Sequence, residues 1–207
     1  MDETPYKTLS RAGRSEHIVD RSRFLGLAAP VGSLDEALAH VAKEKAEHYN
    51  ARHVCFGLRI GRGAQGIDRS NDDGEPARTG GFPLWQLLEG QEVIDALVAV
   101  VRYYGGVKLG TGGLARAYRE AGRLALLDAG VCTVHPEVSF PLEITYEVLG
   151  KVEHTLKDVE TVRVLDTSFT DRVTLSLAVR RAHLGEVRGL LAGLLNRAPE
   201  EIGEGAE

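Results

Sequence analysis

Cysteine is almost missing from this chain: Cys55 and Cys132 are the only two, and they form no Cys-x-x-Cys pair. That excludes a disulfide scaffold and a thiolate zinc cluster, and with no signal-peptide pattern at the start it predicts a cytoplasmic protein with free thiols. No apolar run approaches the roughly 20 residues of a membrane-spanning helix, so no membrane partner is expected. A basic surplus is lacking too. The net charge is -5, which argues against coating nucleic acid through bulk charge and predicts no DNA specificity. Several chemical signatures are absent: a P-loop, a complete dinucleotide fingerprint, a Gly-x-Ser-x-Gly elbow and a His-Glu-x-x-His run. ATPase, dehydrogenase and hydrolase readings therefore have no motif behind them, and no cofactor or metal is predicted.

What the chain does have is glycine, most of it where it counts. An apolar, β-branched segment, Ile94 to Val101, reads as a buried strand. A helical period follows in Leu114, Ala117, Tyr118, Ala121, Leu124 and Ala125. Between them lie Gly105, Gly106, Gly110, Gly112 and Gly113, together with Thr111 and Lys108, while Arg102 sits at the strand end. Glycines leave amide N–H groups bare at a helix start, where the helix dipole favours an anion. This is a plausible phosphate cradle, and equally a tight strand-to-helix turn with one solvated lysine. From Ala96 to Leu127 the cations Arg102, Lys108, Arg116, Arg119 and Arg123 face only Glu120, so the local charge is basic inside an acidic protein. The three helix arginines lie away from the apolar stripe, where they can meet phosphates or pair with Glu120.

A second cluster, Asp72-Asp73-Gly74-Glu75-Pro76, places three carboxylates within four residues. Such a group can hold a divalent cation or move protons, but Asp-Gly before Glu-Pro is also ordinary turn chemistry. His48, His53 and Cys55 come nearest to a metal-ligand set and lack a fourth partner. Cys55 and Trp85 read as core residues.

Together the two clusters resemble the signature of the IMPACT/YigZ family. Its second block is matched almost throughout from Arg102 to Tyr118, and its first at Asp72 to Pro76, Thr79 and Gly81. Arg78 stands where the family usually has glycine, and Gly80 where it usually has alanine. A non-glycine residue resists positive φ, so a changed loop around Thr79 is expected. The acidic loop, Asp72, Asp73, Glu75 and Thr79, is taken as functional with its role open.

In chain order, residues up to Arg14 show no period and are predicted to be loosely held. A hairpin follows over Glu16 to Val19 and Phe24 to Val31. Ser33 and Glu36 form a capping box for a helix ending near Tyr49, and His53 to Ile60 is a third strand. Residues 61–73 read as a long polar loop, and Phe82 to Leu88 as a buried short helix. The composition shifts after Gly130. A linker with Pro136 and Pro141 leads into a strand over Glu137 to Val148, then helix Gly150 to Asp158, two hairpinned strands, and helix Leu184 to Leu195, with residues 199–207 unsuited to a last strand. The predicted fold is α+β in two domains, residues 1–135 and 136–207. The resemblance implies that the first is similar to domain IV of elongation factor G and the second ferredoxin-like. It also implies a link to translation, since eukaryotic members regulate translation initiation by competing for a protein partner of a starvation-sensing kinase.

The leading functional expectation is a non-catalytic, translation-associated regulator. It would bind RNA, the ribosome or another phosphate-bearing partner through Arg102, Lys108, the loop glycines, Thr111, Arg116, Arg119 and Arg123. The alternatives are an enzyme acting on a phosphate-bearing small molecule, with the acidic loop as base or metal ligand, and a protein–protein adaptor.

Overall fold

The computed structural model describes residues 4–203, and its chain divides into two units. The first, Tyr6–Val134, contains strands β1 (Tyr6–Leu9), β2 (Gly13–Val19), β3 (Ser22–Pro30), β4 (His53–Ile60), β5 (Ile67–Asn71), β6 (Ala96–Tyr103) and β7 (Val131–Val134). Its helices are α1 (Leu34–Glu47), α2 (Gly81–Gly90) and α3 (Gly110–Ala129). Five strands form one antiparallel sheet in the order β2-β3-β6-β4-β5.

β6 lies at the centre of that sheet and shows why it reads as an unbroken apolar run. Val98 and Val100 pack with Leu114, Tyr118 and Ala121 of α3 and Leu84 and Leu88 of α2. The alternate residues Leu97, Ala99 and Val101 pack on the other face with Ala37 and Val41 of α1. A strand covered on both faces has no polar phase to alternate with. α1 begins as its sequence predicts: the Ser33 hydroxyl accepts from the Glu36 amide at 3.2 Å. The reciprocal arm shifts by one residue, with Glu36 accepting from the Gly32 amide at 2.7 Å.

Three expectations for this unit are corrected. The region before Arg14 is not loose among the described residues, because β1 pairs antiparallel with β7 and β2 starts at Gly13. The polar stretch 61–73 is not all loop, because Ile67–Asn71 adds an edge strand to β4. Trp85 is half-buried rather than core, stacked on Phe82 at 5.5 Å.

The second unit begins at His135 and holds β8 (Glu137–Ile144), α4 (Tyr146–Lys157), β9 (Val162–Phe169), β10 (Val173–Arg180) and α5 (Leu184–Leu195). Its antiparallel sheet runs β8-β10-β9, a split β-α-β arrangement without a fourth strand among the described residues. The first strand ends four residues earlier than its β-branched and aromatic composition predicts, because Tyr146 to Leu149 already belong to α4. Ile202, after a 3-10 turn at Pro199–Glu201, is fully buried against the cluster of Phe140, Leu175 and Leu191.

Candidate functional site

The acidic loop is fastened at almost every polar atom. Asp72 follows β5, and its carboxylate accepts from the amides of Arg78 at 2.7 Å, Gly80 at 2.9 Å and Gly81 at 2.8 Å. It therefore serves as the cap of α2, whose preceding residue is a glycine with no side chain to offer. Asp73 accepts from Lys45 of α1 at 2.6 Å and from the Val54 amide at 2.8 Å. Burial alone would raise its carboxyl, but Lys45, the Val54 amide and the nearby His53 outweigh that and hold it below the usual range. Three successive residues of β4 latch this loop, because His53 Nδ1 meets the Asp73 carbonyl at 2.7 Å and Cys55 donates to the Asp72 carbonyl at 3.0 Å. His48 instead meets the Tyr103 hydroxyl at 2.9 Å, so these three candidate ligands do not converge. Thr79 donates to the Pro76 carbonyl at 2.6 Å.

Glu75 points inward. It accepts from Arg102 Nη1 at 2.6 Å and from the Tyr118 hydroxyl at 2.9 Å, and all three residues are buried. This joins the acidic loop, β6 and α3 at one oxygen. Arg102 was expected as an exposed ligand of phosphate, but β6 dictates otherwise. Val98 and Val100 face α3, and Arg102 is the next position in that phase. Among the described residues only Nη1 of its guanidinium is hydrogen-bonded, and the buried Nε has no partner. Burial pushes the neighbouring Cys55 thiol up to about 12, and it raises the Tyr118 hydroxyl as well. Both are neutral packing groups in the folded protein.

Arg78 was expected to change the loop by resisting positive φ. It adopts φ 63° all the same, and its guanidinium lies 3.7 Å from the centre of the Phe82 ring. A cation on an aromatic face contributes about 0.5–2 kcal/mol, comparable to the strain of a left-handed residue. Gly80 is required as glycine here, since a Cβ would approach Cys55 Sγ to 2.4 Å.

The glycine-rich loop is built differently. Gly105 is not bare: its amide donates to Ser22 Oγ at 3.1 Å, and a Cβ there would strike the Arg21 backbone at 2.0 Å. Gly106 and Gly110 take positive φ, 88° and 68°. Beyond them α3 starts without a side-chain cap. The amides of Gly110, Thr111 and Gly112 make no hydrogen bond among the described residues, and Gly113 begins the helical ladder.

The basic residues divide across this helix start. On one side a cleft of about 420 Å³ is lined by Arg52, His53, Glu75, Arg102, Tyr104 and Lys108, with Gly110 and Thr111 at its edge. Arg52 and Lys108 are exposed and have no ion-pair or hydrogen-bond partner among the described residues. On the other side a groove of about 470 Å³ is bordered by His17, Gly113, Arg116, Arg119 and Arg123. Arg123 is held by Glu120 through two contacts of 2.9 and 2.8 Å, whereas Arg116 and Arg119 have no such partner among the described residues. The only set of three metal-ligating side chains in reach of one point, among the described residues, is Glu44, Glu47 and His48, in which Glu44 already pairs with Arg14. No helix of the described residues is long and apolar enough to cross a membrane.

Sequence analysis did not reveal Arg52, Tyr104 and His17 as neighbours of the site. The pairing of β4 and β2 with neighbouring strands carries Arg52 and His17 there, whereas Tyr104 directly follows β6.

Residues 20–126 match the model of the Impact N-terminal domain, and residues 142–196 match a domain of unknown function, DUF1949. The IMPACT family member YvyE of Bacillus subtilis is 36% identical over 74% of this chain and 70% of its own length. The IMPACT family member YigZ of Escherichia coli is 34% identical over 84% and 85%. A crystal structure of a hypothetical protein, 30% identical, covers 93% of both chains with a TM-score of 0.64. A structure described as that of the two-domain translational regulator Yih1 is 28% identical over 63% of this chain and 49% of that one, with a TM-score of 0.37. On the strength of the N-terminal match and of relatives aligned over most of their length, the chain belongs to the IMPACT family.

Proposed function

We propose that this chain is a non-catalytic, translation-associated regulator that binds RNA phosphates across the first turn of α3. The observation that carries the reading is the row of amides from Gly110 to Gly112 without a partner among the described residues, flanked by Lys108 and Arg52 on one side and Arg116 and Arg119 on the other, likewise unpaired among those residues. A helix start favours an anion, and cations without an ion-pair partner among the described residues add attraction beside it. The acidic loop supports the non-catalytic half. Asp72, Asp73 and Glu75 are each engaged by amides, a lysine, an arginine or a tyrosine hydroxyl, so their oxygens hold the fold. The translational half rests on what the family resemblance implies.

The test is a titration of single-stranded and structured RNA against the full chain at stepped salt. The expected result is binding at low salt that weakens by orders of magnitude as salt rises. Absence of binding at low salt, with the protein folded, removes the reading.

A further inference from the structure

The two sides of the α3 start are not equivalent, and the difference concerns how a strand of RNA would end. Resting on the RNA reading above, we propose that the cleft on the Lys108 side is a site for the terminal phosphate monoester of a single-stranded RNA. The cleft is lined by the buried pair Glu75 and Arg102, which the groove on the Arg116 side lacks.

Charge gives the second argument. Arg52, Lys108 and Arg102 border the cleft, and Glu75 neutralises one of them. Two positive charges remain, beside the amides of Gly110 and Thr111. A terminal phosphate monoester carries about two negative charges near neutral pH, whereas an internal diester carries one. The cleft therefore matches the monoester in charge.

The helix start is not the sole indication. The Arg102 side chain is 8% exposed, lines the same cleft and keeps an Nε without any hydrogen-bond partner. A buried guanidinium whose Nε is left unpaired is a costly arrangement in a folded protein, and an arriving oxyanion relieves it. At the rim the exposed Tyr104 ring lies 5.4 Å from the Arg102 guanidinium carbon. It offers a face on which the terminal base stacks while its phosphate reaches inward. A volume of about 420 Å³ is large enough for one nucleotide.

The experiment compares one short single-stranded RNA in three forms: phosphorylated at the five-prime end, phosphorylated at the three-prime end, and bearing hydroxyls at both ends. Binding to the full chain is read by anisotropy at fixed moderate salt. The expected result is that one phosphorylated form binds about tenfold or more tightly than the dihydroxyl form, the size of one or two charge-assisted hydrogen bonds. Lys108→Ala and Arg52→Ala are each expected to erase that preference while leaving the melting temperature unchanged. Equal binding of all three forms, still salt-dependent, overturns the terminal-phosphate site and leaves the RNA reading standing. A preference that survives in both variants also overturns it. No binding of any form at low salt removes both.

Discussion

Two loops meet at the cleft and are built on opposite terms. The acidic loop, residues 72–81, spends its polar atoms internally: three amides converge on Asp72, two donors on Asp73, and an arginine and a tyrosine on Glu75. The glycine-rich loop, residues 104–113, is tied to the rest of the fold at Gly105 and then presents a helix start with no side-chain cap among the described residues. Both carry blocks of the family signature, the acidic loop with departures at Arg78 and Gly80. A shared motif thus contains one half that holds the structure and another that is available to a partner, and hydrogen-bond satisfaction separates them where sequence does not.

Substitutions break this contrast in graded fashion. Glu75→Ala leaves Arg102 buried without its counter-charge and is expected to lower stability by about 3–5 kcal/mol in denaturant titration. Asp72→Ala strips the acceptor from three amides, and about 2–3 kcal/mol should be lost. Gly80→Ala drives a methyl into Cys55 Sγ and should cost about 1–3 kcal/mol. Combining it with Cys55→Ala should return part of that loss, and simple additivity in the double-mutant cycle would show that the two do not touch.

Alkaline pH probes the same buried network. The Cys55 thiol ionises near 8.5 in an unfolded chain but only at about 12 when folded, so its contribution is intact below that lower value and fades as pH rises between the two. Melting temperature should fall across this window, and less steeply in Cys55→Ala. The smallest effect on stability sharpens the contrast most. Lys108→Ala should shift unfolding by under about 0.5 kcal/mol while weakening RNA binding measurably.

How much of this was legible depends on which physical force placed each residue. β6 and α3 declare themselves because burial writes an apolar run and a 3.6-residue period directly into sequence. β5 does not, since Ile67 is its only apolar residue and an edge strand needs just backbone pairing with β4. β1 and β7, four residues each, are too short to show a period of their own. In the site, Lys108 and the glycines from Gly110 onward could be found because their chemistry is local. Arg102 was misjudged as a surface cation, although the two-residue phase of β6 already pointed it toward α3. The partnership of Glu75 with Arg102 spans 27 positions, and no local pattern announces it. Arg78 was a departure whose remedy, the Phe82 ring, became visible only once α2 was placed.

The pairing of β1 with β7 carries a mechanical meaning. Tyr6 lies opposite Val134 and Leu9 opposite Val131, so the polypeptide enters and leaves this unit side by side. Tension applied between those two points opens the ribbon like a zipper, one rung at a time, instead of shearing all rungs together. A machine hauling on the chain would therefore detach this clasp with little force before it met the resistance of the five-stranded sheet.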